Sequence, residues 1–152
     1  MKLSRLFQPP PLSSRTSAGL LVLRLVAGWA FILHGYGKIT NPFGWMGPDA
    51  GVPGVFQALA AISEFGGGIA WMLGLLTPLF SFGLLCTMAV ATHMHAVVLG
   101  DPFVKSGPGP GGFYEPALVY FCVAVLFLLA GPGRFSADRF IFGEKVPGAP
   151  AT

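Results

Sequence analysis

Charge is what this sequence has least of. Only 10% of its 152 residues are Asp, Glu, Lys or Arg, against 53% hydrophobic, too few to clothe an ordinary water-soluble globule. The same figures exclude intrinsic disorder, because too little is polar and too much is aromatic for a solvated coil to be favoured. Two cysteines exclude a disulfide-dense secreted scaffold. Also missing are a phosphate-cradling glycine loop, a nucleophile elbow, a short zinc-ligand motif and a basic stripe for nucleic acid. What remains is an integral membrane protein of one domain, with the lipid bilayer as its first partner and its 22 Gly and 14 Pro gathered in loops and at helix ends.

Charged residues are absent from Leu25 to Gly37, from Phe65 to Gly100 and from Pro116 to Gly133. A hydrocarbon core about 30 Å thick needs roughly 20 apolar residues of helix, so the gaps predict four spans, at 17–39, 55–76, 79–99 and 113–130. The fold class is therefore all-α, an up-down-up-down four-helix membrane bundle. Between the second and third spans, Gly74 suits a left-handed helix end, Thr77 a cap and Pro78 a first turn, which makes a tight hairpin. Glu115 and Pro116 suit the start of the fourth helix. The other connections, 40–54 and 100–112, are longer than a hairpin requires and carry Phe43, Trp45 and Phe103, aromatic residues suited to the membrane interface.

Lys2, Arg5 and Arg15 precede the first span and Arg134, Arg139 and Lys145 follow the fourth, against Lys38 and Lys105 beside the longer loops. That excess predicts an inner-membrane protein with both termini in the cytoplasm. The first span is expected to be retained, since Arg24 interrupts it and no small-residue cleavage site follows. Ser136 is placed to cap a short helix between Arg134 and Gly143, which mixes Phe and Ile with charge and so suits the inner interface. Residues 1–16 and 144–152 read as mobile tails around the membrane domain 17–143.

An ionisable side chain at mid-bilayer costs about 2.5–3.5 kcal/mol on insertion scales, so each asks for a partner, a wet cavity or a purpose. In the first helix Arg24, Gly28, Phe31, Gly35 and Lys38 share one face, with His34 one turn before Lys38. In the second, Glu64 shares a stripe with Gln57, Gly67, Gly68 and Trp71. Depth counting sets Glu64 roughly 8 Å nearer the outer surface than Arg24, a gap two long side chains can largely bridge, and Arg24–Glu64 is the expected pair. It reads either as chemistry or as a structural ion pair fixing helix register. His93 and His95 lie about 200° apart on an ideal helix, so one of them faces the bundle and the sequence does not say which. His34, Lys38, Glu64, His93, His95 and Glu115 all fall in the outer half, with Tyr36 and Tyr114 near the rim. One polar pocket open to the outside accounts for them more simply than six unrelated buried groups.

Such a pocket, with Phe31 and Trp71 beside it, suits a quinone head group. Arg24 and Lys38 would polarise or bind its oxygens, Glu64 and His34 would handle protons, and His93, His95, Glu115 and Trp71 would line the site. A small anion would fit the same groups. Haem between His34 and His93 or His95 is disfavoured by the crowded polar contacts, and no metal site is expected. Cys86 and Cys122 lie at similar depth but lack an adjacent base or CxxC spacing, so small buried thiols are the expectation.

Several of these residues recur as an ordered set: Arg24 and Gly28, His34-Gly35-Tyr36-Gly37-Lys38, Glu64 with Gly66-Gly67-Gly68, Gly74-Leu75-Leu76-Thr77, and Gly131-Pro132-Gly133-Arg134 with Ser136 and Asp138. Over about 19–143 the chain resembles the DoxX family. The resemblance implies a four-helix membrane bundle and a membrane-bound redox or redox-support role. Similar members include a subunit of thiosulfate:quinone oxidoreductase and a mycobacterial protein joined to a superoxide dismutase and a thiol-handling enzyme. It carries over Arg24, His34, Lys38 and Glu64. The two functional expectations are thus a quinone-linked redox subunit and a non-catalytic assembly subunit of a larger membrane complex. A transporter finds no visible internal repeat or interrupted helix in support. The partners expected are quinone, other membrane or redox subunits, or further copies of the chain.

Overall fold

The computed structural model describes residues 3–105, 107 and 111–145, and among them every regular element is helical. A 3-10 turn at Leu3–Phe7 precedes α1 (Ser14–Ile39), α2 (Gly54–Leu73), α3 (Thr77–His93, continued by a π-helical turn at Met94–Val98), α4 (Glu115–Ala130) and α5 (Ala137–Phe142). α1, α2 and α3 with its π turn are each long and apolar enough to cross a bilayer. α4 is equally apolar but has 16 residues, about 24 Å of helix. The four long helices form the expected bundle. One end, the termini end, carries the described N- and C-terminal segments and the α2–α3 hairpin, and the opposite end carries the two longer loops.

Glycine sets the register of α1 against α2. A Cβ on Gly28 would lie 2.6 Å from the Gly68 carbonyl oxygen, and one on Gly68 2.6 Å from the Gly28 oxygen, so the two backbones touch where no side chain intervenes. Gly35 meets the Phe65 backbone in the same way. This register sets Arg24 against Trp71 and Met72, and Glu64 near Gly35. α3 packs on α2 and α4. The seam between α1 and α4 is filled by rings: Phe31 lies 4.8 Å from Tyr120 and 5.4 Å from Trp71, and Trp71 lies 4.7 Å from Phe127. Leu20, Ala27, Leu84, Met88 and Ala124 complete the core.

At the hairpin Gly74 closes α2 in the left-handed conformation (φ 66°, ψ 43°), as its position suggests, so α2 ends three residues before the expected boundary. Thr77 does not cap α3. Its hydroxyl is buried with no hydrogen-bond partner among the described residues, and the cap comes from a distant residue: Asp138 accepts from the amides of Leu76 at 2.6 Å and Thr77 at 2.8 Å. Those bonds hold Leu76 at φ 48°, a conformation costly for a bulky side chain.

The N-terminal segment differs from a loose tail. Ser13 accepts from the Thr16 amide at 3.1 Å and starts α1 at Ser14. Upstream, Phe7 packs on Phe142 at 5.2 Å, Gln8 Nε2 donates to the Phe142 carbonyl at 2.9 Å, and the Lys145 amide donates to Pro9 O at 3.0 Å. These contacts offset the entropy that would leave the segment free. Residues 1–2 and 146–152 of the expected tails lie outside the described residues. Ser136 caps α5 through the Arg139 amide at 3.3 Å, as expected.

The glycine contact yields a stability prediction. Gly28→Leu forces the α1 and α2 backbones apart and should cost about 2 kcal/mol or more. Gly19→Ala, whose new Cβ meets nothing within 4 Å, should be neutral or gain up to about 1 kcal/mol from helix propensity. Thermal unfolding of both variants in one detergent checks the contrast, and equal destabilisation would remove Gly28 as the register contact.

Candidate functional site

The ionisable residues do not converge on one pocket. They divide between the two ends of the bundle, and the expected Arg24–Glu64 pair is absent. Register is the reason, since two helical turns, roughly 10 Å, separate Glu64 from the part of α2 that Arg24 meets.

At the termini end Arg24 is 1% exposed and donates to four backbone carbonyls. Nε reaches Trp71 O at 2.8 Å, one terminal nitrogen Pro132 O at 2.6 Å, and the other Met72 O at 3.2 Å and Phe135 O at 3.0 Å. Trp71 and Met72 lie in the last turn of α2, where helical carbonyls lack intrahelical donors and the helix dipole is negative. The planar fork of five donors suits Arg, and not Lys, to such a cage. A Cβ on Gly74 would lie 2.6 Å from the guanidinium, so the left-handed glycine also makes room for it. Asp138, fully buried, closes the same assembly through the α3 cap and through its own amide, which donates to Gly74 O at 2.8 Å.

Toward the loop end Lys38 Nζ bonds both oxygens of Glu64 at 2.6 Å. The Glu64 side chain is 4% exposed and that of Lys38 25%. Because helical side chains lean toward the N-terminus, Lys38 reaches inward along α1 to the deeper acid. Trp45 covers the pair from the first loop, its ring centroid 4.6 Å from Nζ, a favourable cation–π distance. Gln57 pins that loop: its backbone oxygen accepts from Trp45 Nε1 at 2.9 Å, its side-chain oxygen accepts from the Met46 amide at 3.0 Å, and its Nε2 donates to Val52 O at 2.9 Å.

Trp71, expected to line a pocket, is a core residue with no exposed surface, and its Nε1 donates to Ser81 at 2.9 Å. The π turn breaks the ideal spacing on which the choice between His93 and His95 rested. His95 turns to the second loop and meets Asp101 at 2.7 Å, His93 is exposed, and neither enters the bundle core. Glu115, half-buried in the first turn of α4, has no side-chain partner among the described residues. Cys86 and Cys122 are free and exposed rather than buried. A groove of about 560 Å3 opens within the first loop beside Phe43, Pro48, Val52 and Gln57, and none of the residues expected to share a pocket lines it.

His34 is left. It is exposed at the α1–α4 seam, with its ring 6.5 Å from that of Tyr120. Neither the imidazole nor the Tyr120 hydroxyl has a hydrogen-bond partner among the described residues, and Phe31 packs on the Tyr120 ring at 4.8 Å. Sequence reasoning placed His34 in the set but missed Tyr120, Trp45, Asp101 and the capping role of Asp138. For Asp138 a signal was available: it is one of only two acids in a basic C-terminal segment.

A four-helix membrane bundle tied at one end by a caged arginine and toward the other by a covered ion pair defines the structural class. The DoxX family profile matches residues 19–98, and the chain belongs to the DoxX family. It is similar to the inner membrane protein YqjF of Escherichia coli (strain K12), 34% identical over 133 residues covering 81% of this chain and 92% of that protein. It is also similar to an uncharacterized protein of Haemophilus influenzae, 31% identical over 125 residues covering 81% and 90%. No solved structure matches.

Two variant sets test the two ties. Arg24→Met leaves buried carbonyls without donors and should cost on the order of 3 kcal/mol or more, and Arg24→Lys should recover less than half of that. Chemical or thermal unfolding measures both, and full rescue by Lys would mean that charge, not the fork, is what the cage uses. Separately, Lys38→Met strands the buried Glu64 carboxylate and should destabilise by about 3 kcal/mol, Glu64→Gln leaves only the part-exposed Lys38 and should cost less, and the double variant should lose less than their sum. Additive losses in that cycle would show no coupling.

Proposed function

We propose that the chain is a quinone-linked redox-support subunit of the membrane, with the quinone head group received from the bilayer at the α1–α4 seam. The observation that carries this reading is His34, an exposed imidazole in the loop-end part of α1 with its ring 6.5 Å from that of Tyr120, neither group having a hydrogen-bond partner among the described residues. An imidazole and a phenol, with the Phe31 ring packed on the phenol, suit a planar dicarbonyl ring that diffuses laterally in the membrane. Arg24, Lys38 and Glu64 are engaged with one another or with backbone, so they support the site's walls, and proton handling falls to His34.

A bound quinone supplies two-electron, two-proton chemistry, with the electrons coming from a partner redox protein. His34 and Tyr120 are the residues that would hold such a ring by hydrogen bonds, and His34 would be the group that exchanges protons with water at the loop end. Trp71 and Phe127 close the floor of the seam against water. The excess of basic residues near the termini supports a cytoplasmic location for both, which puts His34 in the outer half of the membrane.

A second reading, a non-catalytic assembly subunit, is favoured by one observation: the buried charges Arg24, Glu64 and Asp138 are all satisfied within the chain. On that reading the exposed His34 and His93 meet a partner's helices.

Purification in mild detergent followed by lipid extraction and mass spectrometry separates the two. The quinone reading expects co-purified quinone, lost about tenfold or more in His34→Ala and severalfold in Tyr120→Phe, with Lys105→Gln unchanged. Absence of quinone, together with stoichiometric protein partners that His34→Ala releases, would replace it with the assembly reading.

A further inference from the structure

We infer that the termini end of the bundle is a docking platform for anionic phospholipid head groups, formed by the N-terminal segment, the start of α1 and α5. The inference is independent of the quinone site, which lies toward the other end.

Its first support is a fixed set of exposed apolar side chains. Phe140 is 92% exposed, Ile141 58%, Leu6 54% and Phe135 50%. They are not on a loose tail. α5 is tied to the hairpin by Asp138, which caps α3, and to the N-terminal segment by Phe7 against Phe142 and Gln8 on the Phe142 carbonyl. Because α5 is bonded directly to the last turn of α2 and the first turn of α3, its rings sit where those spans leave the hydrocarbon. That is the depth at which aromatic side chains enter the boundary between head groups and acyl chains.

The second support is charge. Arg15, Arg134, Arg139 and Lys145 belong to this end, and the acids near them project little field. Both oxygens of Asp138 are spent on the α3 cap, and Glu144 is paired with Arg139 at 3.2 Å. Arg15 and Lys145 are exposed and have no side-chain partner among the described residues. A zwitterionic bilayer would accept the rings alone, whereas the surplus of positive charge selects an anionic head group, at roughly fivefold per basic residue near the surface. A soluble acidic protein would have to reach the rings from beneath the head groups, so the lipid is the occupant that meets both features.

The test uses the purified full chain in a neutral detergent, titrated with phosphatidylglycerol or with phosphatidylcholine of the same acyl chains, and read by native mass spectrometry and thermal unfolding. Phosphatidylglycerol should be retained at least about tenfold better and should raise Tm, with phosphatidylcholine doing neither. The double variant Arg15→Gln/Lys145→Gln, which breaks no contact of the fold, should lose most of that preference. Phe140→Ser should weaken retention of both lipids, and Lys105→Gln at the opposite end should change nothing. Equal retention of the two lipids, or an intact preference in the double variant, overturns the inference. So does displacement of phosphatidylglycerol by inorganic phosphate, which would mark a free-anion site. Loss of a dimer in Phe140→Ser with lipid retention unchanged would assign the face to a second copy, and likewise overturns it.

Discussion

A guanidinium within a bilayer-spanning helix has given up its water, and the rest of this structure is arranged around how Arg24 recovers the loss. Four backbone carbonyls from three parts of the chain, the end of α2, the turn after α4 and the approach to α5, converge on one side chain of α1. The last two belong to one connection, 131–136, but α1, the end of α2 and that connection are far apart along the chain, so the cage forms only when all three are docked together. The cost of desolvating the charge thereby becomes a penalty on every alternative packing, a means by which buried ionic groups specify a fold. Gly74, left-handed and without a side chain, and Asp138, which caps α3 beside the cage, belong to the same device.

Toward the other end the solution is different in kind. Lys38 and Glu64 neutralise one another, and the first loop is folded over them by Gln57 and Trp45. The longer loop is thus explained in part by architecture, since it shields an ion pair from competing water and salt. The charges of Arg24, Lys38, Glu64 and Asp138 are thus spent on holding the bundle together, whereas His34 and the Tyr120 hydroxyl on its flank have no hydrogen-bond partner among the described residues.

Much of the fold was legible in the sequence because the relevant physics is local. A run without charges is a candidate span wherever the chain goes next, and Gly74, Pro78, Pro116 and Ser136 act through their own backbone conformations or immediate neighbours. The expected boundaries of α2 and α3 moved by only a few residues, for reasons visible at Gly74 and Asp138. The site was less legible. Counting depth from span ends placed Arg24 within reach of Glu64, but two antiparallel helices can slide past one another without altering either hydropathy profile. Similarly, the relative directions of His93 and His95 were deduced from an ideal helix, and one π turn altered them.

The amino-acid order alone determined that the chain forms four apolar helices of a membrane bundle, roughly where they begin and end, and that its few charges had to be accounted for, because transfer of each residue to hydrocarbon depends mostly on its own chemistry. Only the tertiary structure decided which charge met which partner. That depends on the close backbone approach of Gly28 to Gly68 and on carbonyls supplied by remote turns, which no local pattern encodes.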